Sequence, residues 1–174
     1  MIIGITGKAG SGKTALSNMF IDKYDLVKFD CDTIAKQLQS KLSFDIKVDA
    51  NGFIDEKEQQ RIINEFHPLV WNEIEKDIKE SINKNKKKDF LIETALPSDR
   101  FFDIVDISIL IKSNCSKDRL KNDRSYNDEK IESIVSSQKA YDKYYNQCDF
   151  VINNDNDINI AFARLCDIYD NIKG

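Results

Sequence analysis

Apolar residues fall into two kinds of run along this chain. Short dense runs occupy positions 2–5, 26–30 (LVKFD), 89–94 (DFLIET), 104–111 (IVDISILI) and 150–154 (FVINN). Their length and β-branched content predict strands, and their near-continuous apolarity suits a sheet covered on both faces. Between them, apolar positions recur three or four residues apart. Leu16, Met19, Phe20 and Tyr24 do so after Lys13, and the same period predicts helices over 32–39, 68–83, 128–145 and 158–172. Strands that alternate with helices make an α/β fold: a five-stranded parallel sheet flanked by helices, in one domain spanning 1–174. Two stretches depart from the alternation. Residues 40–88 lack a core strand and read as a helical insertion, and 115–147 is polar, with lysine and arginine in front of a helix, as a lid over a site would be. The basic run NKNKKKD at 83–89 reads as a solvated turn.

The first strand and the first helix are joined by GKAGSGKT, in which Gly7, Gly12, Lys13 and Thr14 fit G-x-x-x-x-G-K-[ST]. Glycine is a poor helix and strand former, so three of them here need a reason. A backbone that turns successive N–H groups onto one anion at a helix N-terminus supplies it. The segment Gly7, Lys8, Ala9, Gly10, Ser11, Gly12, Lys13, Thr14 and Ala15 is therefore expected to bind a nucleoside triphosphate, ATP. Lys13 would span the β- and γ-phosphates and the Thr14 hydroxyl would ligate Mg²⁺. Lys8 faces either the γ-phosphate or water.

Composition narrows the partners. Twenty-six basic against thirty acidic residues leave a net charge of −4, which disfavours nucleic acid. Cys31, Cys115, Cys148 and Cys166 are scattered and form no C-x-x-C pair, as reduced thiols would be. No run approaches a membrane span and no basic leader precedes the first strand, so a monomeric cytoplasmic protein that does not engage membranes is expected.

Other residues suggest what is done with the triphosphate. Asp30 and Asp32, in FDCD at the end of the second strand, would point to the same side of an extended segment. Asp30 could then serve the metal while Asp32 takes a proton from an attacking hydroxyl. Equally, Asp32 could cap the helix that follows. Glu93 closes its strand as a Walker-B acid does, or as any acid in a turn. Arg119 and Arg124 lie in the lid, where guanidinium groups suit a transferring phosphoryl group or pair with Asp118, Asp123 and Asp128. His67, before Pro68, marks a helix start, and Trp71 reads as core.

Taken in order, these pieces resemble the dephospho-coenzyme A kinase family. GITGKAGSGKT looks like its phosphate loop, FDCDTIAKQL its D-x-D segment and FHPLVWNEI its His-Pro helix. DRL at 118–120, SSQ at 136–138 and CDFVINND at 148–155 are similar to its lid arginine, its Ser-Gln step and its D-x-V-I-x-N strand. The resemblance implies a fold like the nucleoside monophosphate kinases and ATP-dependent phosphorylation of the ribose 3′-hydroxyl of dephospho-CoA. It makes Asp32 the base, Lys13 and Thr14 the phosphate and magnesium residues, Arg119 the lid clamp and Asn154 a neighbour of the adenine. The insertion around His67 would bind the acceptor. Departures fall mainly on the acceptor side: IETALPSD replaces the family's Pro-Leu-Leu step, the insertion is shorter with Arg61 its nearest arginine, and Lys8 replaces a glycine. A P-loop kinase for another small acceptor such as a nucleoside, and a non-catalytic nucleotide-binding module, are the alternatives. A GTP switch would need N-K-x-D after a strand, which this chain lacks.

Overall fold

Ile3 and Ile5 point to one face of the first strand, β1 (Ile2–Thr6), and Gly4 to the other. A Cβ at Gly4 would stand 2.4 Å from the Phe101 ring, so glycine is what lets Phe101 reach the sheet. The computed structural model describes residues 1–49, 54–84 and 88–174. β1 is the central strand of a parallel sheet of five, with β2 (Val27–Asp30), β3 (Phe90–Thr94), β4 (Ile107–Lys112) and β5 (Phe150–Asn153), in the order β2-β3-β1-β4-β5. The five expected strands are present. The fourth starts later than expected because Ile104 ends a short six-residue helix, α5 (Asp99–Ile104), that the apolar pattern did not show.

Alternation along the strands divides the core in two. On one face Ile3, Ile5, Leu91, Ile109, Ile111 and Ile152 meet α1 (Lys13–Tyr24) and α9 (Ile158–Lys173). There Phe20, Tyr24 and Tyr169 form an aromatic trio with ring centroids 4.5–5.2 Å apart. On the other face Phe29, Phe90 and Ile92 meet α2 (Cys31–Leu42), α5 and the apolar stripe Val70, Trp71, Ile74 and Ile78 of α4 (His67–Lys84). Burying each such side chain contributes about 1.5–3 kcal/mol before conformational entropy is counted. Trp71 is core, as expected.

The insertion differs in its helix start. Helical backbone runs from α3 (Glu56–Arg61) through a π-turn (Ile62–Phe66) straight into α4, so His-Pro lies inside a continuous helix rather than at its beginning. Proline removes one N–H and crowds the carbonyl four residues back; the wider π-turn just before it, closed by His67 N–H on the Ile62 carbonyl, makes the room. Part of the basic run at 83–89 lies outside the described residues, and the expected turn there lies with it.

Within 115–147, the stretch read above as a lid, α6 (Ser116–Arg124) precedes α7 (Asp128–Gln138), and the expected single helix over 128–145 is interrupted. A 3₁₀ turn (Lys139–Tyr141) leads into the short α8 (Asp142–Tyr145). Tyr141 and Tyr145, four residues apart, both turn inward and continue the buried face of Ile131 and Gln138. No helix among the described residues is long and apolar enough to cross a membrane.

Candidate active site

The phosphate loop leaves the carboxyl end of β1 and enters α1 at Gly12, whose φ is +88°. A Cβ at Gly12 would stand 2.3 Å from Asn154 Nδ2, so conformation and space both demand glycine. Four other helices begin with a side-chain cap: Asp30 for α2, Asp55 for α3, Asn127 for α7 and Asp157 for α9. α1 has none, and no acid in its first turn. Its free N–H groups and positive dipole end therefore face a cavity of about 230 Å³ lined by Gly12, Lys13, Thr14, Arg119 and Arg124. An anion fits this place in a way a neutral ligand does not. Burial pushes Lys13 below the usual lysine value, against the pull of Asp32 and Glu93.

Behind the loop, the Thr14 hydroxyl donates a short hydrogen bond to Glu93 Oε1, and Lys28 Nζ lies 2.6 Å from Glu93 Oε2. With its proton turned to Glu93, the Thr14 oxygen keeps its lone pairs for a cation, so the donor set fits Mg²⁺ brought in with a nucleotide. Among the described residues no three His, Cys, Asp or Glu side chains converge as a metal cage.

The two aspartates are arranged otherwise than expected. Asp30 ends β2, and its Oδ1 accepts from Thr33 N at 3.0 Å, so the cap of α2 is Asp30 and not Asp32. α2 begins at Cys31, which turns Asp32 into the first helical turn; the pair does not lie on one extended face. The helix takes over at once because an aspartate cap satisfies one of its free N–H groups. Asp32 instead lines a second cavity of about 250 Å³, shared with Lys36, Phe66, His67, Trp71 and Thr94. Burial raises its pKa, and Lys13 opposes the rise. Asp32 is thus electrically coupled to the phosphate side while it walls an apolar cavity under the insertion. His67 lines the same cavity with its pKa lowered by burial, 3.5 Å from the Tyr141 hydroxyl.

Arg119 and Asn154 are seated on the loop. Arg119 donates to the Asn154 carbonyl at 2.6 Å and to the Ser11 carbonyl at 3.3 Å. Asn154, 2 % exposed, donates to that same Ser11 carbonyl at 2.8 Å. Arg119 and Asn154 are therefore struts beneath the phosphate loop. Two further aspartates of the FVINN region staple β5 to β4: Asp149 accepts from Ser108, and Asp155 from Asn114. Lys8 forms an ion pair with Asp142 of α8 at 2.7 Å. Ala9 N–H donates to Gln138 Oε1 at 3.1 Å. Arg61 is spent inside the insertion on Glu58, Glu65 and the Phe44 ring. Lys28 escaped the sequence reading, although its spacing of two from Asp30 puts both on the α1 face of the sheet.

An uncapped helix behind a glycine loop, at the carboxyl end of β1 in a 2-3-1-4-5 parallel sheet, is the arrangement of the P-loop kinase fold. Solved structures agree on the fold. A protein from Thermus thermophilus superimposes with a TM-score of 0.73 at 16% identity, covering 100% of this chain and 98% of that one. A dephospho-CoA kinase from Campylobacter jejuni gives 0.60 at 17% identity over 98% and 96%. A shikimate kinase from Bacteroides thetaiotaomicron gives 0.60 at 15% identity over 98% of each. No protein-family model matches the chain.

In sequence the chain is similar to proteins named dephospho-CoA kinase. It is 28% identical to that of Fusobacterium nucleatum over 95% of each chain. The enzyme of Wolbachia sp. subsp. Brugia malayi gives 27% over 99% of this chain and 98% of that one. That of Ehrlichia canis gives 32% over 66% of this chain and 60% of its own.

Proposed function

We propose that this kinase transfers the γ-phosphoryl group of ATP to the ribose 3′-hydroxyl of dephospho-CoA, giving coenzyme A and ADP. The observation that carries the reading is the position of Asp32, a carboxylate coupled to Lys13 on one side and walling the apolar cavity on the other. An acceptor held in that cavity can present a hydroxyl to Asp32 and its oxygen to the phosphate side. Asp32 takes the hydroxyl proton as the oxygen attacks phosphorus, and the bond to ADP breaks. Lys13, Arg119 and Arg124 stabilise the charge spread over the transferred group. Thr14 and Asp30 would hold Mg²⁺, which supplies neutralisation of phosphate charge. Phe66, Trp71 and His67 give the acceptor an apolar, aromatic wall suited to a purine.

The test is ADP release from Mg-ATP with dephospho-CoA, with adenosine and with no acceptor, in parallel. Stimulation by dephospho-CoA with coenzyme A as product is expected. ATP binding with no stimulation by dephospho-CoA overturns the acceptor assignment.

A further inference from the structure

Lys28 occupies an unusual place for a lysine. It lies on β2, the edge strand of the sheet, where lysine ordinarily points into water and discourages further pairing. Here its side chain is only 14 % exposed and turns under α1. Nζ stands 2.6 Å from Glu93 Oε2 and 3.0 Å from Asn18 Oδ1, so the ammonium is held at two points. The register explains the reach. Lys28 pairs with Leu91 and Asp30 with Glu93, which places Lys28 diagonally behind Glu93 on one face. Glu93, 4 % exposed, thus has Thr14 on one oxygen and Lys28 on the other.

The charges around it show what Lys28 is for. Asp30, Asp32 and Glu93 each act through charge on Lys13, the cation that lines the cavity at the loop. A buried carboxylate stripped of its partner is strongly unfavourable, and a divalent cation is the obvious replacement partner. We propose that Lys28 is a positioning residue of the cation site: it holds Glu93 as the acceptor of the Thr14 proton and keeps that carboxylate from binding the cation itself. The divalent ion then enters with the nucleotide, on the Thr14 oxygen, rather than settling in the empty protein. This rests on the kinase reading above, in which Thr14 meets Mg²⁺.

The experiment measures Mn²⁺ binding by electron paramagnetic resonance, with and without ADP. The proteins are the unaltered chain, Lys28→Met, Lys28→Gln and the double variant Lys28→Met/Glu93→Gln, each checked for folding by circular dichroism. The unaltered chain binds Mn²⁺ tightly only with ADP; loss of that dependence would count against the kinase reading and not against Lys28. Without ADP, Lys28→Met and Lys28→Gln gain at least tenfold in Mn²⁺ affinity, and Glu93→Gln in the double variant abolishes the gain. A lysine that merely props up the strand would lower the melting temperature without creating this site. Nucleotide-free Mn²⁺ affinity within twofold of the unaltered chain in either folded single variant, or a gain that survives Glu93→Gln, overturns the proposal.

Discussion

Replacing Asp32 by asparagine separates the chemistry from the architecture. The amide has the same shape, so no cavity opens beside Phe66 and Trp71, but it cannot accept the acceptor's proton. General-base catalysis contributes about 10²–10⁴-fold, or about 3–5 kcal/mol of barrier. Turnover of Asp32→Asn should fall by that factor in a coupled ADP-release assay with product coenzyme A resolved chromatographically. Stability should move the other way. Burial is the largest influence on Asp32 and raises its pKa against the pull of Lys13, so near neutral pH the folded protein holds a charge it disfavours. The neutral amide removes that burden, and the melting temperature should hold or rise. ATP affinity should stay within about threefold, because Lys13 loses an attractive neighbour and becomes freer for phosphate. Turnover within tenfold of the unaltered enzyme would refute the base assignment. A loss of ATP affinity as large as the loss of rate would make Asp32 a residue of the metal and phosphate site instead.

The same shifts set the pH profile of kcat/KM. It should rise as Asp32 ionises, at a pH above the ordinary carboxylate range, and fall as Lys13 loses its proton below the usual lysine value; an acid limb at an unshifted carboxylate value would speak against Asp32. Asn154→Ala removes a buried donor from the Ser11 carbonyl and should cost about 1–3 kcal/mol, at about 2–4 °C of melting temperature per kcal/mol. If Asn154 also contacts adenine, the preference for ATP over GTP falls with it; if it is a strut alone, the preference is unchanged. For Asp89, burial acts to raise the pKa, but Lys173, the Met1 ammonium and the Tyr169 hydroxyl outweigh it and bring the value down to about 2. That stabilisation is present above the ordinary carboxylate value and is lost as pH falls towards 2. Asp89→Asn should therefore be about 2 kcal/mol less stable in urea at pH 7, with the difference shrinking in acid.

The chain's local chemistry already carried much of this. Dense β-branched runs specify buried strands because both faces of a parallel sheet exclude water, and Gly7, Gly12, Lys13 and Thr14 specify an anion cradle because a tight turn needs glycine and phosphate needs cations. Those features depend on neighbours a few residues away, so they are written in order along the sequence. What tertiary structure decided depends on neighbours far apart. The π-turn that carries Pro68 inside a helix, the early start of α2 that sends Asp32 to the cavity wall, and the 3₁₀ turn before α8 are all choices of packing over local pattern. So is the chain of contacts Asn18–Lys28–Glu93–Thr14, which crosses from α1 to an edge strand and back through β3. A lysine in LVKFD has no meaning by itself. It acquires one only when the sheet sets Glu93 beside Asp30 and α1 closes over both, because a charge is defined by what lies within a few ångströms, and only the fold brings those groups together.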